Sequence, residues 1–323
     1  MPDQTFNVLV WADIYDKHLE LLKEYSPPAF KWIRMDFKNK PVNFRDLLET
    51  ADCIVTKTDL DEKNYEYASR LKLIQLPISG YDKFDIPKIR SRGIEIANTG
   101  GANAVSVAEH VFLLVLSNYR HLLFHHNSVM DGSWVNLKHR NREMYGKTLG
   151  IVGLGNVGRE IAKRAYGFGM DVMYYDIKRP AAKFESAYNL IYAEFEALLA
   201  ASDIVTFNVP LTPKTRKMIN AESLALMKNG AVLINTSRGE IQDEDEIYRV
   251  LADRKLSGAG LDVFLTEPLD RQSPLLTLNN IVLTPHAGPS YETQFRMVES
   301  VVKNIVRVYE GQEAQNRVID YNN

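Results

Sequence analysis

The run Gly153-Leu154-Gly155-Asn156-Val157-Gly158 constrains this chain more than any other segment. A strand-like stretch, Leu149-Gly150-Ile151-Val152, leads into it and a helical pattern leads away. Eighteen residues beyond Gly158, Asp176 closes a second strand-like stretch, Val172-Met173-Tyr174-Tyr175. In that setting Gly153 permits the tight turn, Gly155 lets backbone approach a pyrophosphate, and Gly158 lets the helix pack on the strand. The helix start adds N–H groups and a positive dipole for the phosphates. The reading is a βαβ dinucleotide unit. Asp176 selects NAD, because a carboxylate accepts from a ribose 2′-hydroxyl and repels a 2′-phosphate. NADP is the poorer fit, and the neighbouring Lys178 and Arg179 read as solvated loop cations.

With 323 residues the chain suits two medium domains, and a glycine fingerprint starting near its middle favours that division. Its 39 basic and 41 acidic residues balance, so no global field would draw in nucleic acid or an anionic membrane. Cys53 is the single cysteine, which excludes an internal disulfide framework and a thiolate metal cluster. No metal is expected, and a reducing cytoplasm is the natural compartment. Residues 1–10 show no signal-peptide pattern. The most apolar helix, around Val111-Phe112-Leu113-Leu114-Val115-Leu116, soon meets Asn118, Arg120 and His121, too soon to span a bilayer. It reads as a buried interdomain or subunit-contact helix.

The first hundred residues alternate strand-like runs with helical patterns: Phe6 to Trp11, Cys53 to Thr56, Leu73 to Leu76 and Ile94 to Ala97. Such alternation argues for a parallel sheet with crossover helices. A long helical stretch from near Val105 follows Asn98-Thr99-Gly100-Gly101 and marks a domain boundary. A second series then offers six strands, at Leu149–Val152, Val172–Tyr175, Ile204–Phe207, Ala231–Asn235, Gly258–Leu261 and Ile281–Leu283. Six strands with intervening helices match a doubly wound dinucleotide fold. The final amphipathic segment, Tyr291 to Tyr309, brings no further strand and is expected to return to the first domain. No low-complexity tract, solenoid repeat or additional C-terminal domain is expected.

In open α/β sheets, ligands sit beyond the carboxyl ends of strands. Arg238 follows the run Ala231 to Ser237, Asp262 and Glu267 follow Gly258 to Leu261, and His286 follows Ile281 to Pro285. Singly, each has an ordinary reading: a surface ion pair, a solvated loop carboxylate, a core histidine. Together they gather on one sheet edge beside a nicotinamide. Of seven histidines, His286 alone lies beyond residue 139. Hydride transfer to a ketone builds alkoxide character, so the site needs a proton donor and a cation. Histidine, which titrates near neutral pH, suits the first task, and an adjacent carboxylate favours its protonated form. Arginine suits the second through its bidentate fork. Glu267 would pair with His286 and bias it to imidazolium for reduction, while oxidation needs the neutral ring as base.

At this point the chain resembles the D-isomer-specific 2-hydroxyacid dehydrogenase family along nearly all its length. Ser106-Val107-Ala108-Glu109-His110 is similar to the family's linker-helix signature, and Gly146 to Gly155 to its fingerprint strand. Pro210-Leu211-Thr212-Pro213-Lys214-Thr215, Asn235-Thr236-Ser237-Arg238-Gly239, Leu261-Asp262-Val263-Phe264 and Thr284-Pro285-His286 match later blocks in order. The resemblance implies that Arg238, Glu267 and His286 are the catalytic trio, with Asp262 near the nicotinamide carboxamide. It further implies that Asn156 and Val157 present backbone to the pyrophosphate and that Val209 and Thr236 line the cofactor cleft. From the first domain, Ser79-Gly80-Tyr81-Asp82 resembles a loop whose N–H groups cradle the substrate carboxylate, leaving Ser79 and Gly80 as substrate ligands beside Arg238.

The implied architecture is two doubly wound parallel-sheet α/β domains. A Rossmann cofactor domain over 102–289 is inserted in a flavodoxin-like substrate domain of residues 1–101 and 290–323, and the protein pairs as a homodimer. The implied reaction is interconversion of a small 2-oxo acid and a D-2-hydroxy acid, with NAD carrying the hydride and His286 the proton. An alternative is an NAD(H)-responsive interaction protein like the C-terminal binding protein corepressors, which resemble the same family. Two departures stand out. Many relatives carry histidine where Asn208 stands. The formate-dehydrogenase-like members that share asparagine there have glutamine in place of a carboxylate, so Glu267 argues against formate. Pro289 after His286-Ala287-Gly288 is unusual and points to an uncommon pocket mouth.

Overall fold

The computed structural model describes residues 5–36, 39, 43–135 and 141–318. In the first part of the chain, β1 (Phe6–Trp11), β2 (Phe30–Arg34), β3 (Cys53–Thr56), β4 (Leu73–Gln75) and β5 (Glu95–Ala97) alternate with α1 (Asp16–Glu24), α2 (Phe44–Thr50), α3 (Glu62–Tyr65) and α4 (Ile86–Ser91). Two helices follow without a strand, α5 (Ala104–Tyr119) and α6 (Leu122–Met130). The second series has strands β6 (Thr148–Val152), β7 (Asp171–Tyr175), β8 (Leu190–Tyr192), β9 (Ile204–Phe207), β10 (Val232–Asn235), β11 (Gly258–Leu261) and β12 (Ile281–Leu283). Its helices are α7 (Asn156–Gly167), α8 (Ala182–Ala187), α9 (Phe195–Ala201), α10 (Ala221–Leu226) and α11 (Glu244–Ala252), and α12 (Tyr291–Tyr309) closes the chain's regular structure.

The chain divides into two units, one running to Asn103 and resuming at Tyr291, the other spanning Ala104–Ser290. The changeovers fall where α5 and α12 begin. They lie a residue or two later than the loop positions read from the sequence, because each helix belongs wholly to one unit. In the first unit all strands pair in parallel, in the order β2-β1-β3-β4-β5, the flavodoxin-like arrangement. Strand β2, unnoticed in the sequence, is an edge strand with Lys31 and Arg34 exposed and no fully buried residue, so it lacks the apolar run by which buried strands are recognised. Within this unit α12 packs on α1 and β4 through Val298, Val301, Val302 and Ile305, buried at helical spacing. Among them Asn304 hydrogen-bonds Gln75 Oε1 of β4 at 2.9 Å, satisfying both buried amides.

The second unit's sheet runs β12-β11-β10-β9-β6-β7-β8, again parallel throughout. Counted from β6, this is the doubly wound order 3-2-1-4-5-6 with one further strand at the β12 edge. Seven strands form it where the sequence suggested six; the addition, Leu190–Tyr192, is too short to announce itself by periodicity. Strands β9, β10 and β11 are buried at every position, as expected of a sheet covered on both faces. Helix α5 lies on β10 and β11, and β11 is glycine-rich because of it. A Cβ on Gly260 would stand 2.8 Å from Leu114 Cβ, inside van der Waals contact.

Candidate active site

The first cluster of candidate residues forms where β6 ends. Gly153 adopts φ +93°, open to glycine without strain, and a Cβ there would lie 2.7 Å from Asn208 O and 2.9 Å from Val209 Cγ1. Thus the loop after β9 presses directly on the glycine turn, across the point where the sheet's winding reverses. Gly158 brings α7 still closer, since a Cβ would meet Gly153 O at 2.1 Å. Gly155 is different: no protein atom lies within 4 Å of where its Cβ would be. No packing inside the unit requires glycine there, so the residue suits close approach by something outside the protein. Gly155 heads α7 with no side-chain cap, leaving the first-turn N–H groups around Asn156 and Val157 available for an anion.

Asp176 is tied into the same loop. Its Oδ2 accepts from Leu154 N at 2.6 Å and its Oδ1 from Lys178 N at 2.9 Å. A carboxylate has about four acceptor positions, so two bonds leave capacity for hydroxyl donors. Arg179, the nearby cation that could have welcomed a phosphate, is held by Glu185 at 2.8 Å and stacks its guanidinium 5.0 Å from the Tyr192 ring centre. Thr236, after β10, has a buried Oγ1 with no hydrogen-bond partner among the described residues. Open space at Gly155, an uncapped helix, an acceptor at Asp176 and an orphaned hydroxyl at Thr236 together fit a dinucleotide.

The second cluster lies beyond β10, β11 and β12, three adjacent strands whose carboxyl ends share that sheet edge. The turn carrying Arg238 is fixed by Asn235, whose fully buried amide donates to Arg238 O and Gln242 Oε1 and accepts from Ser237 N and Oγ. Gln242 then donates to Val263 O, joining the turn to the loop after β11. Gly239 allows that union, because a Cβ would lie 2.0 Å from Phe264 O. The Arg238 guanidinium donates to Ser237 O at 2.7 Å. Glu267 accepts from Phe264 N through Oε1 and meets His286 Nδ1 through Oε2 at 3.0 Å. The structure therefore brings Glu267 and His286 into a hydrogen-bonded pair, with Arg238 on the adjoining turn.

His286 stands in left-handed backbone, φ +54°. A non-glycine residue held there costs on the order of 1–2 kcal/mol, so something must hold it. The holder is Asp262, 1% exposed. Its backbone carbonyl accepts from His286 N at 2.9 Å, and its carboxylate accepts from Ala287 N at 2.8 Å, Gly288 N at 3.0 Å and Thr284 Oγ1 at 2.6 Å. The Asp262 carboxylate thus clamps the loop that carries His286. Burial alone would raise the Asp262 pKa, but hydrogen bonds from His110, Thr284 and Ala287 outweigh it and hold the group below the usual carboxylate range. His110 of α5 reaches the same cluster, 2.9 Å from Thr284 Oγ1 and 3.3 Å from Asp262 Oδ1.

His110, Asn235 and Gln242 carry no individual signal in the sequence. The first two sit inside quoted motif blocks, but nothing in a linear pattern says that a helix will lean on a loop 174 residues away. In the first unit, Ser79 and Gly80 occupy a loop fastened by Asn98, whose Nδ2 donates to Ser79 O at 2.7 Å, while Ser79 Oγ bonds Asn103 Oδ1 at 3.1 Å. The N–H groups of Ser79 and Gly80 donate to no acceptor among the described residues. Among those residues, no group of three or more His, Cys, Asp or Glu side chains could hold a metal ion, and no helix is long and apolar enough to cross a membrane.

Comparison with known proteins fits this geometry. A family model described as D-isomer specific 2-hydroxyacid dehydrogenase, NAD binding domain, matches residues 112–288. The chain is 38% identical over 307 residues to a glyoxylate reductase of Korarchaeum cryptofilum, covering 93% of this chain and 89% of that protein. It is 40% identical over 266 residues to a hydroxypyruvate reductase of Thermotoga maritima, covering 81% and 86%. Among solved structures, a glyoxylate reductase from Paecilomyes thermophila superposes with a TM-score of 0.85 at 29% identity, covering 98% of this chain and 99% of that one. The chain belongs to the D-isomer-specific 2-hydroxyacid dehydrogenases. It is an NAD-binding oxidoreductase of the 2-oxo acid and 2-hydroxy acid class.

The Asp262 clamp carries a signed pH dependence. A carboxyl whose pKa is depressed on folding contributes stability above its unfolded pKa, about 3.9, and loses it as pH falls toward the lower folded value. Asp262→Asn should therefore destabilise the protein by about 1–3 kcal/mol near neutral pH. The deficit should narrow as urea unfolding is repeated at progressively lower pH below about 4.

Proposed function

We propose that the protein reduces a small 2-oxo acid to the D-2-hydroxy acid, with Arg238, Glu267 and His286 as its catalytic residues. The Glu267–His286 hydrogen bond carries this reading. Because Nδ1 is committed to the carboxylate, Nε2 is the nitrogen left to exchange a proton with the substrate oxygen. Bound NAD supplies the hydride donor for reduction and the acceptor for oxidation. In reduction His286 Nε2 gives its proton to the oxygen of the 2-oxo group, and in oxidation the neutral ring takes it back. Arg238 binds and polarises the 2-oxo acid, and the free N–H groups of Ser79 and Gly80 receive its carboxylate. Residues 1–101 and 290–323 thereby act as the substrate domain and 102–289 as the cofactor domain.

The relatives' names support small 2-oxo acids such as glyoxylate and hydroxypyruvate as the substrate class. They favour an oxidoreductase over the corepressor-like alternative. For the cofactor, Asn156 and Val157 offer N–H groups to the pyrophosphate, Val209 and Thr236 line the cleft, and Asp176 favours NAD over NADP. A homodimer is supported by the apolar side chains left exposed on α5 and α6, among them Leu113, Leu116, Leu122, Leu123 and Met130. A cytoplasmic location remains part of this reading, with small acids as partners and neither nucleic acid nor membrane.

His286→Ala should lower NADH-dependent glyoxylate and hydroxypyruvate turnover by about 10²–10⁴-fold while NADH binding persists. In Glu267→Gln the ring loses the carboxylate that holds Nδ1, so kcat for reduction should fall at least tenfold while NADH binding persists; an unaltered kcat would contradict the pairing. For the cofactor, Asp176→Ala should raise the NADPH to NADH ratio of kcat/KM at least tenfold, measured in parallel titrations. Finally, Leu116→Glu combined with Leu123→Glu should convert a dimer to monomer by light scattering.

A further inference from the structure

We infer that His110 is a positioning residue for the proton-transfer histidine, acting from helix α5 through Thr284 and Asp262. This rests on the reading that His286 is the acid–base group. His110 is 9% exposed, on a helix whose neighbouring turn also faces the same loop. A Cβ on Gly288 would lie 3.3 Å from Val107 Cγ2, so Val107 and His110, three residues apart, present one face of α5 to residues 284–288.

The direction of the hydrogen bonds follows from the donors available. Thr284 Oγ1 donates its single proton to Asp262 Oδ1 at 2.6 Å, so toward His110 it can only accept. Asp262, a carboxylate, also only accepts. His110 Nε2 therefore carries a proton and donates into the pair, 2.9 Å from one oxygen and 3.3 Å from the other. The other charged group on that turn, Glu109, is turned to Arg164 at 3.0 Å and takes no part.

That donation matters because of what Asp262 holds. The same Oδ1 accepts Ala287 N, Oδ2 accepts Gly288 N, and the Asp262 carbonyl accepts the N–H of left-handed His286. Without His110, Oδ1 and Thr284 would lose a donor beside the buried Asp262 carboxylate, which would be free to turn from the loop. The loop would keep its residues but not its one conformation. His286 would then meet substrate and Glu267 over a spread of geometries, and proton transfer, which depends on close alignment, would slow. Cofactor binding depends on the glycine loop of β6 and should be little affected.

The test compares His110→Leu, His110→Gln and Thr284→Val with wild type and with His286→Ala, using NADH and glyoxylate. His110→Leu keeps the volume without the donor, whereas glutamine returns an N–H at a similar reach. His110→Leu should bind NADH within about threefold of wild type, by fluorescence titration, lose at least tenfold in kcat, and show a shifted pH–rate profile. Glutamine should restore most of the kcat and the original profile. A folded His110→Leu enzyme with unchanged kcat and pH profile overturns the inference. So does a loss confined to NADH affinity or thermal stability with kcat intact at saturation. Should His110→Leu not fold, Thr284→Val, which removes the bridging hydroxyl alone, is judged by the same readings. His286→Ala separates the two levels: if it retains turnover, the acid–base assignment itself fails; if it is inactive while His110→Leu is unaltered, only the role of His110 falls.

Discussion

The approach of Gly158 to the carbonyl of Gly153 is the constraint on which the second unit is organised. With 2.1 Å between that oxygen and a hypothetical Cβ, no other residue fits without moving α7 off β6. Because α7 can come so near, its uncapped N-terminus points over the carboxyl ends of the strands, and the loop after β9 closes against Gly153 from the other side. Helix dipole, turn and strand reversal then coincide in one place. A dinucleotide fold needs that coincidence, since each element alone offers too little to hold two phosphates.

A second set of interactions does for the Glu267–His286 pair what the glycines do for the nucleotide turn. Three loops after adjacent strands are stitched together by buried polar side chains: Asn235 and Gln242 join the first to the second, and Asp262 joins the second to the third. Each of these side chains is almost fully buried and meets several partners, as an interior polar group must. The consequence is rigidity where flexible loops would otherwise lie. His286 can occupy left-handed backbone because Asp262 grips the residues on both sides of it.

Much of this was legible in the sequence, for identifiable reasons. The glycine spacing with Asp176 marked the turn, since at Gly153 and Gly158 only glycine satisfies the contacts. Buried central strands announced themselves as continuous apolar runs, and Arg238, Glu267 and His286 were marked by lying just after such runs. What escaped notice was short or amphiphilic: β2 with its exposed Lys31 and Arg34, and the three-residue β8 at the other sheet's edge. Edge strands bury little, so they leave little hydrophobic signature.

By itself, then, the sequence determined the fold class, the two parallel sheets, the nucleotide turn and the residue types available for chemistry, because these depend on local spacing and on which side chains can be buried. Tertiary structure decided which of those residues meet. That Glu267 faces His286, that Asp262 turns inward to clamp a loop, and that His110 joins it from a helix 174 positions away in sequence from Thr284 all depend on packing across the sheet. Hydrogen-bond partners brought together by a fold have no fixed spacing along the chain, so only the folded arrangement could reveal them.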